Sequence, residues 1–171
     1  MNVRRNGKSP KRKSPMRPFA RSLPMQLMRA REAVMRRFRP HLAAHGLTDQ
    51  QWRILRALME ARSLEILELG ARCQIHPASL SRILPKLARN QLIARRINKA
   101  DQRRVIVSIT PRGRELFTTV APESEVIYAE IKRELGTGRL RQIYRSLDEL
   151  IAALEDHSAA ARAGLEAADT R

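Results

Sequence analysis

The most concentrated group of chemically active side chains in this sequence is a set of cations between residues 82 and 104. Eight lysine and arginine residues lie there against a single acid, Asp101, so the segment carries a net charge of 8 − 1 = +7. The whole chain has 34 Lys and Arg against 17 Asp and Glu, a formal net charge of +17. Such a field concentrates polyanions and makes their association fast and dependent on salt. We therefore expect nucleic acid to be the partner.

Residue patterns typical of catalysis or metal binding are missing from the sequence. It has no paired carboxylates, no nucleophile beside a base, no phosphate-binding loop and no ligand spacing of a metal site. A single cysteine, Cys73, excludes an internal disulfide and a multi-cysteine zinc site, and the four histidines at positions 41, 45, 76 and 157 are scattered. We expect neither an enzyme nor a cofactor. A redox switch at Cys73 stays open as an alternative to a plain core residue.

The chain also lacks the features of a membrane or exported protein. No run of about eighteen apolar residues is present, and the N-terminus lacks the apolar stretch of a secretory signal. The basic residues do not lie opposite an aromatic, apolar helix face, which disfavours a membrane surface as the partner. We expect a cytoplasmic protein.

Charge and periodicity divide the chain into three parts. Residues 1–22 carry eight Lys and Arg and no acid, which predicts a disordered basic arm that either grips DNA or is only a solvated leader. Residues 23–157 are the folded body, and residues 158–171 are an alanine-rich tail expected to fray.

Helical signals fill the first half of the body. Apolar residues at helical spacing predict a helix over residues 23–42 that ends before Gly46, and Thr48 with Gln51 forms a capping-box pattern for the second helix. A short third helix covers residues 65–73. The fourth begins at Pro77, and Pro85 within it should kink it.

After Asn90 the apolar period changes from 3.6 to 2. Residues 92–97 and 104–109 are predicted as the two strands of a hairpin. Thr110 caps a following helix that we expect Pro122 to interrupt, and a last helix follows Gly136. The predicted fold is mainly α with a small β-hairpin wing, in the order α-α-α-α-β-β-α-α, a winged helix-turn-helix.

Three segments of this region, residues 69–84, 86–93 and 101–110, together resemble the MarR family. The resemblance covers about residues 23–155. Within that family, residues 29–35, 38–40 and 47–54 resemble the subgroup that represses homoprotocatechuate degradation operons. The resemblance implies a homodimeric repressor that binds double-stranded DNA and controls an aromatic catabolic operon. Its dimer would form through the terminal helices, and its DNA-binding lobe would cover about residues 48–110.

The resemblance also assigns DNA-binding roles, although Gln74 and His76 depart from the family pattern beside the fourth helix. Arg103 should enter the minor groove, aimed by an ion pair with Asp101, unless the two form only a solvated turn. The residues expected at base edges in the major groove are Ala78, Ser79, Ser81 and Arg82, and those expected on phosphates are Lys86, Arg95, Arg96 and Lys99.

Two arginines in apolar helical stripes, Arg31 and Arg53, suggest a second site, because a buried cation needs an anion. The resemblance implies that they bind a small aromatic carboxylate effector, either hydroxyphenylacetate-like or hydroxynicotinate-like, which releases the protein from a palindromic operator. The alternative is that both arginines form ion pairs across the dimer interface. The other residues expected to line the effector site are Met28, Met35, His41, Gln51 and Trp52.

A further alternative concerns function rather than residues. A basic protein that compacts DNA without a preferred operator or an effector would carry the same charge, and the value of +17 does not separate the two.

Overall fold

The computed structural model describes residues 16–98, 101 and 103–169, with side chains described as far as residue 155. This part of the chain contains helices and one small sheet. The helices are α1 (Leu23–Ala44), α2 (Asp49–Ala61), α3 (Ile66–Cys73), α4 (Pro77–Arg89), α5 (Pro111–Leu135) and α6 (Thr137–Asp169), and the strands are β1 (Ser63–Glu65), β2 (Ile93–Ile97) and β3 (Val105–Ile109). The mainly helical fold with a hairpin wing is confirmed.

Local capping signals fix where three helices begin. At α2 the Thr48 hydroxyl accepts from the Gln51 backbone N–H at 3.2 Å, while the Gln51 side-chain oxygen accepts from the Thr48 N–H at 3.0 Å. Thr110 caps α5 by accepting from the Gly113 N–H at 3.0 Å. Pro77 occupies the first turn of α4, as predicted. These caps satisfy backbone donors that the helix itself leaves without a partner.

Two helices contain an internal proline, and only α5 departs from the prediction. Helix α1 runs through Pro40 to Ala44 and ends before Gly46, close to the predicted 23–42, whereas the expected interruption of α5 at Pro122 does not occur. Phe38 and Leu42 are buried on either side of Pro40, and Val120 and Ser124 on either side of Pro122. This packing holds each helix together despite the backbone hydrogen bond that the proline removes.

The sheet contains a strand that the sequence analysis missed. β1 pairs with β3, which also pairs with β2, in the antiparallel order β1-β3-β2. Leu64 of β1 lies opposite Val107, and Ile93 of β2 lies opposite Ile109. A three-residue strand is too short to show an apolar period, so only its long-range pairing reveals it.

The core lies between α2, α4 and the inner face of β3. Fully buried leucine and isoleucine side chains of α2 meet Leu80, Leu84 and Leu87 of α4 and Val107 of β3. Trp52 stacks on Phe117 of α5 with ring centroids 5.0 Å apart. The core therefore fixes α4 and the hairpin to the rest of the molecule by their inner faces.

The two terminal segments lie partly beyond the described residues. Residues 1–15 of the predicted basic arm are outside them, and the last residues of the arm include a 3-10 turn at Phe19–Arg21. Helix α6 extends to Asp169 and therefore includes most of the tail at residues 158–171. That this tail frays in solution stays a prediction. Among the described helices, none is both long and apolar enough to cross a bilayer.

Candidate nucleic-acid interface and effector site

Helix α4 turns a polar, basic face away from the core. Leu80, Leu84 and Leu87 are buried, which directs the opposite side outward. Arg82 and Lys86 are exposed there, as are Ala78 and Ser81, whereas Ser79 is half-buried. The Ser81 hydroxyl donates to the Ala78 carbonyl at 2.8 Å. The exposed residues lie on the first three turns of the helix, the part that helix-turn-helix proteins direct to base edges.

The start of α4 tolerates both departures from the family pattern. His76 takes the place of a serine cap, and its Nδ1 accepts from the Ala78 N–H at 3.3 Å. Gln74 adopts a left-handed backbone (φ 49°, ψ 51°) after α3, and its side-chain amide donates to the Ala71 carbonyl at 3.0 Å. A left-handed residue other than glycine is costly, and such a local hydrogen bond helps to offset the cost.

The hairpin adds further exposed cations beside α4. Arg95 and Arg96 on β2 and Arg103 in the loop are exposed, and Lys99 falls outside the described residues. Within the part of the chain that the structure describes, Arg82, Lys86 and these three arginines have no carboxylate partner. Side chains without an internal counter-ion are available to phosphates.

Asp101 contacts different groups from those that we predicted. One carboxylate oxygen accepts from the backbone N–H of Arg103 at 3.0 Å, and the other accepts from Nε of Arg104 at 3.1 Å. The expected side-chain pair with Arg103 does not form, because the aspartate closes a turn on the amide two residues later. Asp101 thus fixes the backbone of Arg103 and leaves its guanidinium unpaired among the described residues.

Arg104 instead anchors the wing to the body, a role that the sequence analysis missed. Its Nη1 lies 3.1 Å from Glu65 Oε1 on β1, and this hydrogen bond raises the pKa of Arg104 above its usual value. The sequence shows an acid at Glu65, but nothing in it places this acid near Arg104. The contact can be recognised only once β1 is known to pair with β3.

The two arginines predicted to bind an effector are already engaged, and with different elements. Arg31 pairs with Asp49 at 2.7 Å and keeps 49% of its side chain exposed, so it is not a buried cation. Arg53 donates to the Cys73 carbonyl at 2.6 Å, at the C-terminus of α3. Helix C-termini attract cations, so Arg53 has a structural partner within its own chain.

The other residues predicted for the effector site have different surroundings in the described part of the chain. Met28 is exposed and Met35 is partly buried against the core. Gln51 is buried in the capping box and Trp52 in its stack on Phe117. His41 contacts Ser124 of α5, with its Nε2 3.1 Å from the serine hydroxyl.

Cys73 is a buried residue of the core. Its thiol lies 3.6 Å from the Arg53 carbonyl, and burial raises the pKa of the thiol. A raised pKa keeps the thiolate scarce at neutral pH, and the thiolate is the form that peroxide attacks. The contacts of Cys73 favour the structural role over the redox switch.

An arginine that the sequence analysis did not select has the better position for an anionic ligand. Arg56 on α2 is half-buried, and its Nη1 donates to the Tyr128 hydroxyl at 2.9 Å. Its guanidinium lies 5.9 Å from the centre of the Tyr128 ring, which packs on Phe38 with centroids 4.8 Å apart. Among the described residues Arg56 has no carboxylate partner. This cluster joins α1, α2 and α5, and no spacing along the chain predicts it.

Comparison with known proteins shows which family this chain belongs to. The sequence profile of the MarR family matches residues 47–105, from the start of α2 to the first residue of β3. The homoprotocatechuate degradative operon repressor of Escherichia coli is 37% identical over 131 residues, which cover 77% of this chain and 88% of that protein. The chain belongs to the MarR family. As a MarR-family protein, it is a DNA-binding transcriptional regulator with α3, α4 and the β2–β3 hairpin as its winged helix-turn-helix.

Solved structures agree with this MarR-family assignment. The transcriptional regulator PA4135 superposes with a TM-score of 0.73 at 37% identity, covering 78% of this chain and 96% of that one. NadR in complex with 4-hydroxyphenylacetate has a TM-score of 0.68 at 35% identity, covering 80% of this chain and 97% of that one.

Proposed function

We propose that this protein is a dimeric repressor that binds a palindromic operator beside an aromatic catabolic operon and leaves it when a small aromatic carboxylate binds. The observation that carries the DNA-binding half is a set of exposed cations on α4 and the hairpin that have no carboxylate partner among the described residues: Arg82, Lys86, Arg95, Arg96 and Arg103. The 37% identity to a homoprotocatechuate degradative operon repressor supports the kind of operon. This function needs no catalytic step, and the protein would act in the cytoplasm.

The residues of α4 and the wing divide between reading and holding the DNA. Ala78, Ser81 and Arg82 would meet base edges in the major groove, with Arg82 on guanine and Ser79 near the edge of the contact. Arg103 would enter the minor groove, held through its backbone by Asp101. The proposed phosphate contacts are Lys86, Arg95, Arg96 and Lys99.

Dimerisation would give the two reading helices a fixed spacing. Helix α6 carries apolar side chains on its surface, including Leu147, Ile151 and Leu154 with 36%, 52% and 58% exposure. An apolar helical stripe of this kind marks a surface that a partner covers. In a dimer closed by the terminal helices, two copies of α4 would meet half-sites about one helical turn apart, about 34–36 Å.

For the effector we propose the cluster around Arg56 in place of Arg31 and Arg53. A guanidinium forks onto a carboxylate, and the half-buried ring of Tyr128, supported from behind by Phe38, offers the apolar surface that an aromatic acid needs. The complex of NadR with 4-hydroxyphenylacetate supports a hydroxyphenylacetate-like acid. Helix α2 belongs to the DNA-binding lobe, and α1 and α5 flank it. A ligand bound between these three helices would change the orientation of the lobe and thereby its affinity for the operator.

Arg56→Gln tests the effector site, with Arg31→Gln as the matched control. We expect Arg56→Gln protein to bind the operator as the wild type does but to need at least about tenfold more 4-hydroxyphenylacetate for release, since it loses a charge-assisted hydrogen bond. Arg31→Gln should respond like the wild type. Titrating release by fluorescence anisotropy measures both. A normal response from Arg56→Gln with a lost response from Arg31→Gln would return the site to the residues first predicted.

A further inference from the structure

Two histidines and a glutamate, distant in sequence, meet at the C-terminal end of α1. His41 lies in the last turn of α1, His45 is the residue that ends the helix four positions later, and Glu123 reaches them from α5. One ligand atom of each lies within 4.8 Å of the others. The sequence predicts no metal site, and only the fold brings Glu123 of α5 to the two histidines.

The His41–Glu123 separation is that of two ligands around one ion, and the His45–Glu123 separation is a little wider. Nδ1 of His41 lies 3.3 Å from one Glu123 oxygen, and Nε2 of His45 lies 3.7 Å from the other. A hydrogen bond would bring such atoms to about 2.7–3.2 Å. Two ligands each about 2.0–2.1 Å from a tetrahedral zinc ion lie about 3.3–3.4 Å from one another.

The orientation of His41 favours metal binding through Nδ1. Its side chain is only 11% exposed, and the buried Nδ1 has no hydrogen-bond partner among the described residues. Its other nitrogen, Nε2, lies 3.1 Å from the hydroxyl of the buried Ser124. A hydrogen bond from Nε2–H to that hydroxyl would present the Nδ1 lone pair to an ion, as outer partners of metal-binding histidines do.

The surroundings leave room for the remaining ligands. His45 borders an open cavity of about 640 Å³, through which water would reach the His45 side of the cluster and complete the coordination. The cluster also lies at the C-terminus of α1, where the helix dipole favours a cation. We propose that His41, His45 and Glu123 bind a divalent transition-metal ion, with zinc as the ion that two imidazoles and one carboxylate fit best.

Zinc binding by the full-length chain without a histidine tag tests this proposal. After removal of metal with a chelator, we expect a competition titration against a chromophoric chelator at about pH 7.5 to give one tight zinc site per protomer. Glu123→Gln and His45→Gln should each weaken that site by about tenfold or more, since each removes a ligand. Glu123 is 57% exposed, so its replacement should leave the fold intact.

Glu125→Gln is the matched control, because Glu125 is an exposed acid on the same helix and outside the cluster. It should bind zinc with the affinity of the wild type. Zinc should also raise the melting temperature of the wild type and of Glu125→Gln, and raise it less in Glu123→Gln, because the ion ties α1 to α5. Equal zinc affinity in the wild type and Glu123→Gln, or no binding at micromolar zinc, would overturn the proposal.

Discussion

Arg103 and Arg104 are neighbours in the wing, but their side chains have different contacts. We therefore expect their substitution to weaken operator binding for different reasons. Arg103 has a free guanidinium among the described residues, so Arg103→Ala should weaken operator binding by about tenfold and lower the slope of log affinity against log salt by about one. Fluorescence anisotropy at several salt concentrations measures both. An unchanged slope would mean that Arg103 does not reach the DNA.

Arg104 acts on the DNA only through the position of the wing, and Glu65→Gln isolates that role. The substitution removes an acid near DNA, which by charge alone would strengthen binding. Because Glu65 holds Arg104 at 3.1 Å, we expect weaker operator binding instead, with little loss of stability, since exposed ion pairs contribute little to the free energy of unfolding. Tighter binding of Glu65→Gln would refute the anchoring role.

Gly113 is the residue at which the body and the hairpin approach most closely. A Cβ built there would lie 2.1 Å from the Leu92 carbonyl oxygen and 2.8 Å from the Ile109 side chain. Gly113→Ala should therefore destabilise the protein by about 1–3 kcal/mol, measured by urea denaturation at a fixed protein concentration. Gly138→Ala is the control, since no atom lies within 4 Å of its added Cβ. Equal stability of the two variants would contradict the close packing.

At the scale of elements, helix α6 predicts how the dimer is held. Ile151→Glu places a charge in the exposed apolar stripe and should convert dimers to monomers in sedimentation velocity, because the charge would be buried in the interface. Arg145→Glu introduces the same residue on the opposite side of the helix and should remain dimeric. A dimeric Ile151→Glu protein would place the interface elsewhere.

The elements that the sequence predicted are those whose signals are local. The capping box of Thr48 and Gln51, the proline at the start of α4 and the Thr110 cap each lie within four residues of the helix start that they fix. Helix α5 continues through Pro122 because buried neighbours hold it, and that packing is not visible in a local pattern.

The same division applies to the candidate site. The charge of α4 and the hairpin was readable from composition, whereas three contacts depend on elements that meet only in the fold. They are the Arg104–Glu65 pair, the Arg56–Tyr128 hydrogen bond and the group of His41, His45 and Glu123. The apolar helical stripes around Arg31 and Arg53 predict that these arginines bind an effector. In the structure Arg31 pairs with Asp49, and Arg53 donates to the Cys73 carbonyl.

At the scale of the whole molecule, a formal net charge of +17 sets the conditions under which specificity can be seen. At low salt such a charge binds any DNA, because counterion release favours every phosphate backbone equally. Operator preference must therefore be measured at physiological salt, where contacts to bases decide between sites.

The most direct test of the repressor account is a footprint of the full-length protein on genomic fragments selected at physiological salt, repeated with 4-hydroxyphenylacetate. The account predicts protection of two half-sites related by inverted symmetry, beside an aromatic catabolic operon, and loss of that protection when the acid is added. Protection without a repeat, falling equally for all sequences as salt rises and unchanged by the acid, would contradict it.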